Sequence, residues 1–294
     1  MRIGTAGTEF YVPQSLADAL SALESDGSVL LAGGTALTQA LKQRLLAPSR
    51  LVFIGRMAEL SGIEVDPSGD IVIGAMTTIR EVAESQIIRN QVPVLASAAR
   101  AVGNPRVRAV ATIGGALMHA DPRQDVLPAL IAANAQALIS GPGGHRDVSV
   151  GAGFFVGFMQ TSISRREIVT HIRIPESRSL AERYIRFTPG SRDDYPTIAV
   201  AGRACADLEE HLVHLRLALA GAGPTPIGFS FPGLELSRPG SELSALDSIL
   251  ELVSTGVDPV DDAQGPAIYK RAIAQVLTRR LVSEMSAALS QASA

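Results

Sequence analysis

The sequence has 294 residues, 26 basic and 29 acidic side chains, and a formal net charge of −3. That length suits one large domain or two ordinary ones with a sizeable core, and 46% hydrophobic with 19% charged residues is the balance of a soluble globular protein. Nothing here offers the basic face that phosphate neutralisation in a nucleic acid needs. Only Lys42 and Lys270 interrupt an otherwise all-arginine set of cations, so there is no polybasic arm. With no Trp, neither a base-stacking platform nor a membrane aromatic belt is supported. Cys205 is the single cysteine, which excludes an internal disulfide, a four-cysteine zinc site and a self-contained iron–sulfur cluster. The opening MRIGTAGTEF lacks a signal-peptide profile. The apolar stretch Val126 to Ile139 is broken by Pro128, Asn134 and Gln136 and is too short to span a bilayer. The expectation is a cytoplasmic protein with no membrane span and no nucleic-acid partner.

Along the chain, Ser15-Leu-Ala-Asp18 has the pattern of a capping box opening the helix LADALSALES, with Leu16, Leu20 and Leu23 on one face. The run Ser28 to Ala32 reads as a buried strand, broken by Gly33-Gly34. Thr35 then starts the helix TALTQALKQRL, and Leu51 to Ile54 is the next strand. A second block opens with a hairpin, Ile63–Val65 and Ile71–Ile73 around Asp66-Pro-Ser-Gly-Asp70. Thr78-Ile-Arg-Glu81 caps a helix, and an Ala-rich one follows from Val94 to Val102. Next come the glycine turn Thr112-Ile-Gly-Gly115, a polar loop around His119 to Arg123, and a helix from about Asp125 to Ala133. Ala135 to Ile139, the turn Gly141-Pro-Gly-Gly144 and the strand Glu167 to Ile174 close this block, and Pro175 with Glu176 to Glu182 reads as a linker. In the third block Tyr184–Phe187, Thr197–Ala204 and His211–Ala220 read as strands, ended by Gly221 to Pro226. Helices follow near Ser241–Ser254 and Pro266–Ala288. Three strands followed by helices suggest a small α+β unit with helices on one face of an antiparallel sheet.

The two double-glycine turns are the strongest local signals. Glycine lets the backbone approach a ligand closely, and free N–H groups at such turns and at helix N-termini suit phosphate. Two of them, about 80 residues apart in sequence, could hold the two phosphates of a dinucleotide, whereas either taken alone reads first as a tight strand-to-helix turn. No G-x-x-x-x-G-K-[ST] occurs, and Gly151-Ala-Gly153 runs into Phe-Phe-Val, so neither a P-loop nor a Rossmann fingerprint is present. His211-x-x-His214 lies in an alternating run whose i and i+3 side chains point to opposite faces, which argues against a shared metal. His119-Ala-Asp121 reads as a loop-fixing hydrogen bond, and Asp193-Asp194-Tyr195 as a solvated turn. No G-x-S-x-G elbow supports a hydrolase.

Taken in order, LLAGGTAL (Leu30–Leu37), VRAVATIGGALMHADPRQDVLPAL (Val107–Leu130), YIRFTPGSRDDYPTIAVA (Tyr184–Ala201) and ALAGAGPTPI (Ala218–Ile227) resemble a known family. So does the terminal helix with Tyr269, Arg279 and Arg280. It is the FAD-binding (medium) subunit of the molybdenum hydroxylases, which includes the carbon monoxide dehydrogenase medium subunit and the flavin domain of xanthine dehydrogenase. The resemblance implies an α+β chain with an FAD-binding fold of the vanillyl-alcohol-oxidase (PCMH) type. Its subdomains would be 1–57 and 58–177, with a small C-terminal domain at 178–294 built on a three-stranded antiparallel sheet plus helices. It also implies non-covalent FAD. Ala32, Gly33, Gly34, Thr35 and Ala36 fall on the first pyrophosphate loop, and Thr112, Ile113, Gly114, Gly115 and Ala116 on the second. Asp125 falls on a carboxylate that hydrogen-bonds FAD, Val169 on an apolar position against the isoalloxazine, Arg186 on a basic position near the pyrimidine side, and Tyr195 on a tyrosine close to the ring.

Three positions depart from the family: Ala116 replaces a usual Asn, Arg186 a usual Lys, and Ala36 a commonly polar residue. The implied function is an oxidoreductase subunit that takes electrons from [2Fe–2S] clusters and passes them to an external acceptor. Molybdenum cofactor and clusters are expected only in partner chains, a large molybdopterin-binding subunit and a small [2Fe–2S] subunit, as a heterotrimer or its dimer. The segment 176–196, around Arg192 and Tyr195, is the expected partner-facing region. The alternatives are a stand-alone FAD-dependent oxidoreductase acting on a small molecule and a non-catalytic relic of the family.

Overall fold

The computed structural model describes residues 7–206, 213–234 and 241–292. The chain opens with β1 (Glu9–Tyr11), α1 (Leu16–Leu23), β2 (Ser28–Leu31), α2 (Thr35–Lys42) and β3 (Arg50–Phe53). β2 and β3 run parallel, with Leu30 beside Val52, so the chain must cross over between them, and α2 is that crossover. β1, which has no counterpart in the sequence reading, adds to the other side of β3. Its register sets Glu9 beside Arg50, and the two form an exposed ion pair of 2.7 Å. Ser15 caps α1 by accepting from the Asp18 amide, but the box is half made. The Asp18 carboxylate turns instead to the Gln14 amide and the Tyr11 hydroxyl.

The second unit contains β4 (Ile63–Val65), β5 (Ile71–Gly74), α3 (Ile79–Glu84), α4 (Gln86–Gln91), α5 (Pro93–Ala101), α6 (Pro105–Arg108), α7 (Ile113–His119) and α8 (Val126–Ala132). β6 (Gln136–Gly141), β7 (Gly144–Ser149), the short hairpin β8 (Phe155–Gly157) and β9 (Gln160–Thr161), and β10 (Ile168–Ile174) complete it. Its antiparallel sheet has the order β4-β5-β10-β6-β7, and its buried side chains form the largest apolar cluster. Gly114 and Gly115, expected in a turn, lie in the first turn of α7. At the start of α3 the capping box of Thr78 and Glu81 is complete: Thr78 accepts from the Glu81 amide, while the Glu81 carboxylate accepts from the Thr78 amide. Thr78→Ala should cost about 1 kcal/mol, read as a lower urea midpoint with unchanged m-value.

The third unit has four strands, not three. β11 (Ser179–Phe187), β12 (Ile198–Ala206), β13 (Val213–Ala220) and β14 (Ile227–Leu234) pair in that order, followed by α9 (Ser241–Gly256) and α10 (Ala267–Ala292). Gly228, Pro232 and Gly233 hide β14 in the sequence. As an edge strand it tolerates the proline, and the ladder slips there, pairing Leu215 with Phe231 but Val213 with Leu234. The expected linker is shorter than 175–182, because β11 already starts at Ser179. Both faces of the sheet are covered. Ile198, Val200 and Ala204 pack with α9 and α10, while Ala201 joins the core of the second unit. No helix among the described residues is long and apolar enough to cross a membrane.

Candidate functional site

β2 ends at Leu31, and Ala32, Gly33 and Gly34 carry the chain into α2, where Thr35 and Ala36 are the first two residues. Gly34 is left-handed (φ 74°, ψ 2°) and is the N-cap of α2, with no side chain capping the helix. The first N–H groups of a helix have no intrahelical acceptor, so this end presents donors and a positive dipole end. None of the eight residues of α2 is buried, although the helix carries Leu37 and Leu41. At Gly33 a Cβ would come within 1.8 Å of the Val110 carbonyl oxygen. Only glycine permits that approach, which sets the first glycine segment directly against the chain entering the second.

The second segment is differently used. The Ile113 amide donates to Thr77 O and the Gly114 amide to Ala75 O, both at 2.9 Å. The Gly115 amide donates to the Thr112 hydroxyl, and the Ala116 amide to Thr112 O. The amides of Ile113 to Ala116 are therefore spent on holding the segment in place, whereas the first-turn amides of α2 stay open. A Cβ at Gly114 would lie 2.5 Å from that of Ala75. The Ala75 amide in turn donates to Thr170 O, at the bulge that follows Val169 in β10. Val169 itself is buried opposite Ile139 in the core of this sheet.

Asp125, at the start of α8, is 2% exposed. Tyr184 donates to its Oδ1 at 2.5 Å, and Arg186 Nη1 lies 3.2 Å from the same atom. Tyr184 and Arg186 are two apart in β11 and so share a face. Arg186 also donates from Nη1 to Ala101 O at 2.5 Å and from Nη2 to Asp194 O, while its buried Nε finds no acceptor. Arg108 grips the next two carbonyls, Val102 O and Gly103 O, so two guanidinium groups close the C-terminal end of α5. Burial lifts Asp125 to about 6, against the opposing pull of Arg186 and then the Tyr184 hydroxyl. Burial and the adjacent carboxylate push the Tyr184 phenol well above its ordinary range.

Tyr195 is 40% exposed, with the Arg123 guanidinium 5.6 Å from its ring centre and Arg123 paired to Asp121. Burial and then the Asp121 charge raise its phenol. In the segment 176–196, the expected partner-facing region, Leu180 and Tyr195 are the exposed large apolar residues. Burial lowers the His119 pKa, with Asp121 opposing. His214 Nε2 shares a hydrogen bond with Ser230, and His211 lies outside the described residues. Among the described residues no group of three or more His, Cys, Asp or Glu side chains could hold a metal.

The candidate residues thus fall into one group at the glycine segments and another at Asp125, Arg186 and Tyr195, with Val169 in the sheet behind. Tyr184 and the Ala101 carbonyl are absent from the sequence-based set. The alternation of Glu182, Tyr184 and Arg186 could have pointed to Tyr184; nothing local marks Ala101.

The model of the FAD binding domain in molybdopterin dehydrogenase matches residues 6–177. The carbon monoxide dehydrogenase medium chain of Hydrogenophaga pseudoflava is 31% identical over 282 residues, covering 94% of this chain and 96% of the relative. The glyceraldehyde dehydrogenase medium chain of Sulfolobus acidocaldarius is also 31% identical, over 93% and 96%. A solved structure of reconstituted carbon monoxide dehydrogenase from Oligotropha carboxidovorans superposes with a TM-score of 0.86 at 28% identity, over 98% of this chain and 99% of that one. The chain belongs to the FAD-binding medium subunits of the molybdenum hydroxylases, and is an FAD-dependent oxidoreductase of that family.

Proposed function

We propose that this chain takes electrons from the [2Fe–2S] clusters of a partner subunit into FAD and passes them to an external acceptor. The observation that carries the reading is a member of an FAD-binding subunit family with one cysteine, because a [2Fe–2S] cluster needs a full set of side-chain ligands that this chain lacks. A large molybdopterin-binding subunit and a small cluster-bearing subunit are the implied partners, in a heterotrimer or its dimer. The single thiol suits the cytoplasm. The working units are 1–57 and 58–177 for the cofactor and 178–294 for the C-terminal domain.

FAD supplies two-electron chemistry when bound, and the residues fit it. The uncapped first turn of α2 offers amides to a pyrophosphate, at the end of the helix whose dipole favours an anion. Ala32 to Ala36 would supply those amides, and Thr112 to Ala116 would form the opposite wall, close because Gly33 lies on Val110. Arg186, with its Nε–H unspent, would set a positive charge against the anionic reduced ring. Asp125 would fix that cation, Val169 would back the site, and Tyr195 would shield the ring.

Denaturation should release FAD and not FMN, with none left covalently attached. In the complex purified with its partners, the large subunit's substrate should reduce the flavin; the isolated chain should not respond to that substrate. Rapid reduction of the isolated chain would instead favour a stand-alone oxidoreductase, and failure to take up FAD would favour a relic.

A further inference from the structure

We infer that Asp125 and Arg186 form a protonation-dependent charge beside the cofactor, with Asp125 the positioning residue that fixes the guanidinium and decides whether the pair is neutral or cationic. The inference rests on the placement of FAD proposed above and goes beyond it, because it assigns Asp125 a function through Arg186.

The geometry leaves the pair little freedom. Asp125 Oδ1 receives the Tyr184 hydroxyl and faces Arg186 Nη1. The guanidinium is held on its other sides by Ala101 O and Asp194 O, which are backbone atoms and cannot change charge. Protonation of Asp125 therefore changes the pair from neutral to a single positive charge without releasing Arg186. The groups that face the carboxylate are Tyr184 and Arg186 from β11, with Tyr195 from the loop after it near enough to feel its charge. Asp121 and Arg123, in the turn before α8, pair with each other, and Asp121 bears on Tyr195 and on His119 at the end of α7. Tyr184 and Tyr195 are both pushed to higher pKa, so neither ionises near neutrality. Burial pushes the His119 pKa down, with Asp121 opposing. Of this set, Asp125 is the group lifted toward neutral pH, to about 6.

Two electrons and one proton delivered to an oxidised flavin leave its ring with one negative charge. A second proton, from solvent, is taken by Asp125, which makes the pair cationic next to that charge. Total uptake is two electrons and two protons, with iron–sulfur clusters as the natural reductant and dithionite as the laboratory one.

The test is the midpoint potential of the FAD-loaded full chain against pH, titrated with dithionite and reference dyes from roughly pH 5 to 8.5, a range spanning the pair's titration. The wild type should take up two protons per electron pair just above Asp125's own titration, and one at lower pH. Asp125→Asn fixes the pair as a cation. It should keep its FAD, show one proton per electron pair throughout, and have a potential above wild type at pH 8 that converges with it at the acid end. Tyr184→Phe removes a hydrogen bond that favours the carboxylate, so its break should move to higher pH.

Parallel wild-type and Asp125→Asn curves would overturn the proposal, as would loss of FAD from a folded Asp125→Asn, or an unmoved break in Tyr184→Phe. If Asp125→Asn fails to fold, the break in the wild type and its shift in Tyr184→Phe decide. Arg186→Met separates the two levels. If it leaves both potential and FAD content at wild-type values, the flavin does not lie beside the pair and the placement itself fails. A lowered potential there, together with a wild-type curve that lacks the break, sinks only the present inference.

Discussion

Gly34→Val should strip the protein of flavin while leaving it folded. Gly34 holds a left-handed backbone (φ 74°) at the N-cap of α2, and that conformation aims the first-turn amides outward with no side chain competing for them. A β-branched residue pays about 1–2 kcal/mol to stay left-handed. If it leaves that region instead, the amides swing and the cradle is lost. Space is not the main obstacle, since a Cβ would meet only the Leu31 and Thr38 side-chain tips at 3.2 and 3.3 Å. The expectation is a drop in flavin affinity of at least about tenfold, equivalent to 1.4 kcal/mol, with a small fall in the thermal midpoint of the apo chain. Flavin absorbance per chain after equilibration with FAD, beside a melt of the apo form, reads both. Gly114→Val is a different experiment, although the two glycines look alike in sequence. Its Cβ would sit 2.5 Å from the Ala75 Cβ and 2.8 Å from the Ala75 oxygen, inside the core. Overpacking there should cost about 1–3 kcal/mol or more, so colour and fold should be lost together. A Gly34→Val protein with full flavin occupancy would move the pyrophosphate away from α2.

That contrast marks where the sequence was readable. Gly33-Gly34 after an apolar run and before a helical pattern is a local signal, and it stands where it was expected. The Gly33 contact with Val110 joins residues of two units far apart in sequence, and no local pattern encodes it. Gly114-Gly115 misled because glycine is a poor helix former; here backbone ties to Ala75 and Thr77 and the Thr112 cap hold a helical turn regardless. The same holds at Asp125. Its residue type was legible, but its partners Tyr184 and Arg186 come from a strand about sixty residues on. Polar character also hid structure. Glu182 looked like linker because acidic residues are rarely buried alone, and its burial makes sense only with Arg203 beside it.

Removing Glu182 should be among the most damaging single changes in the chain. Its side chain is 1% exposed and Arg203 is 4% exposed, with 2.7 Å between Oε1 and Nε. The two residues are direct partners across β11 and β12. Glu182 Oε2 accepts from the Val94 amide at the start of α5, and Arg203 Nη2 donates to Gln91 O at the end of α4. The pair therefore pins the C-terminal sheet to the helices of the second unit. Glu182→Ala leaves a guanidinium without its counter-charge and an amide without its acceptor, and breaking one side of a buried pair costs about 3–5 kcal/mol. Most of that is the penalty of the stranded charge, which a double variant can expose. Glu182→Leu with Arg203→Met removes both charges and fills similar volume, so it should be more stable than either single change. Urea unfolding of wild type, Glu182→Leu, Arg203→Met and the double variant gives the cycle. A double variant no better than Glu182→Leu would show that the lost ties to Val94 and Gln91, and not the stranded charge, are what these strands depend on.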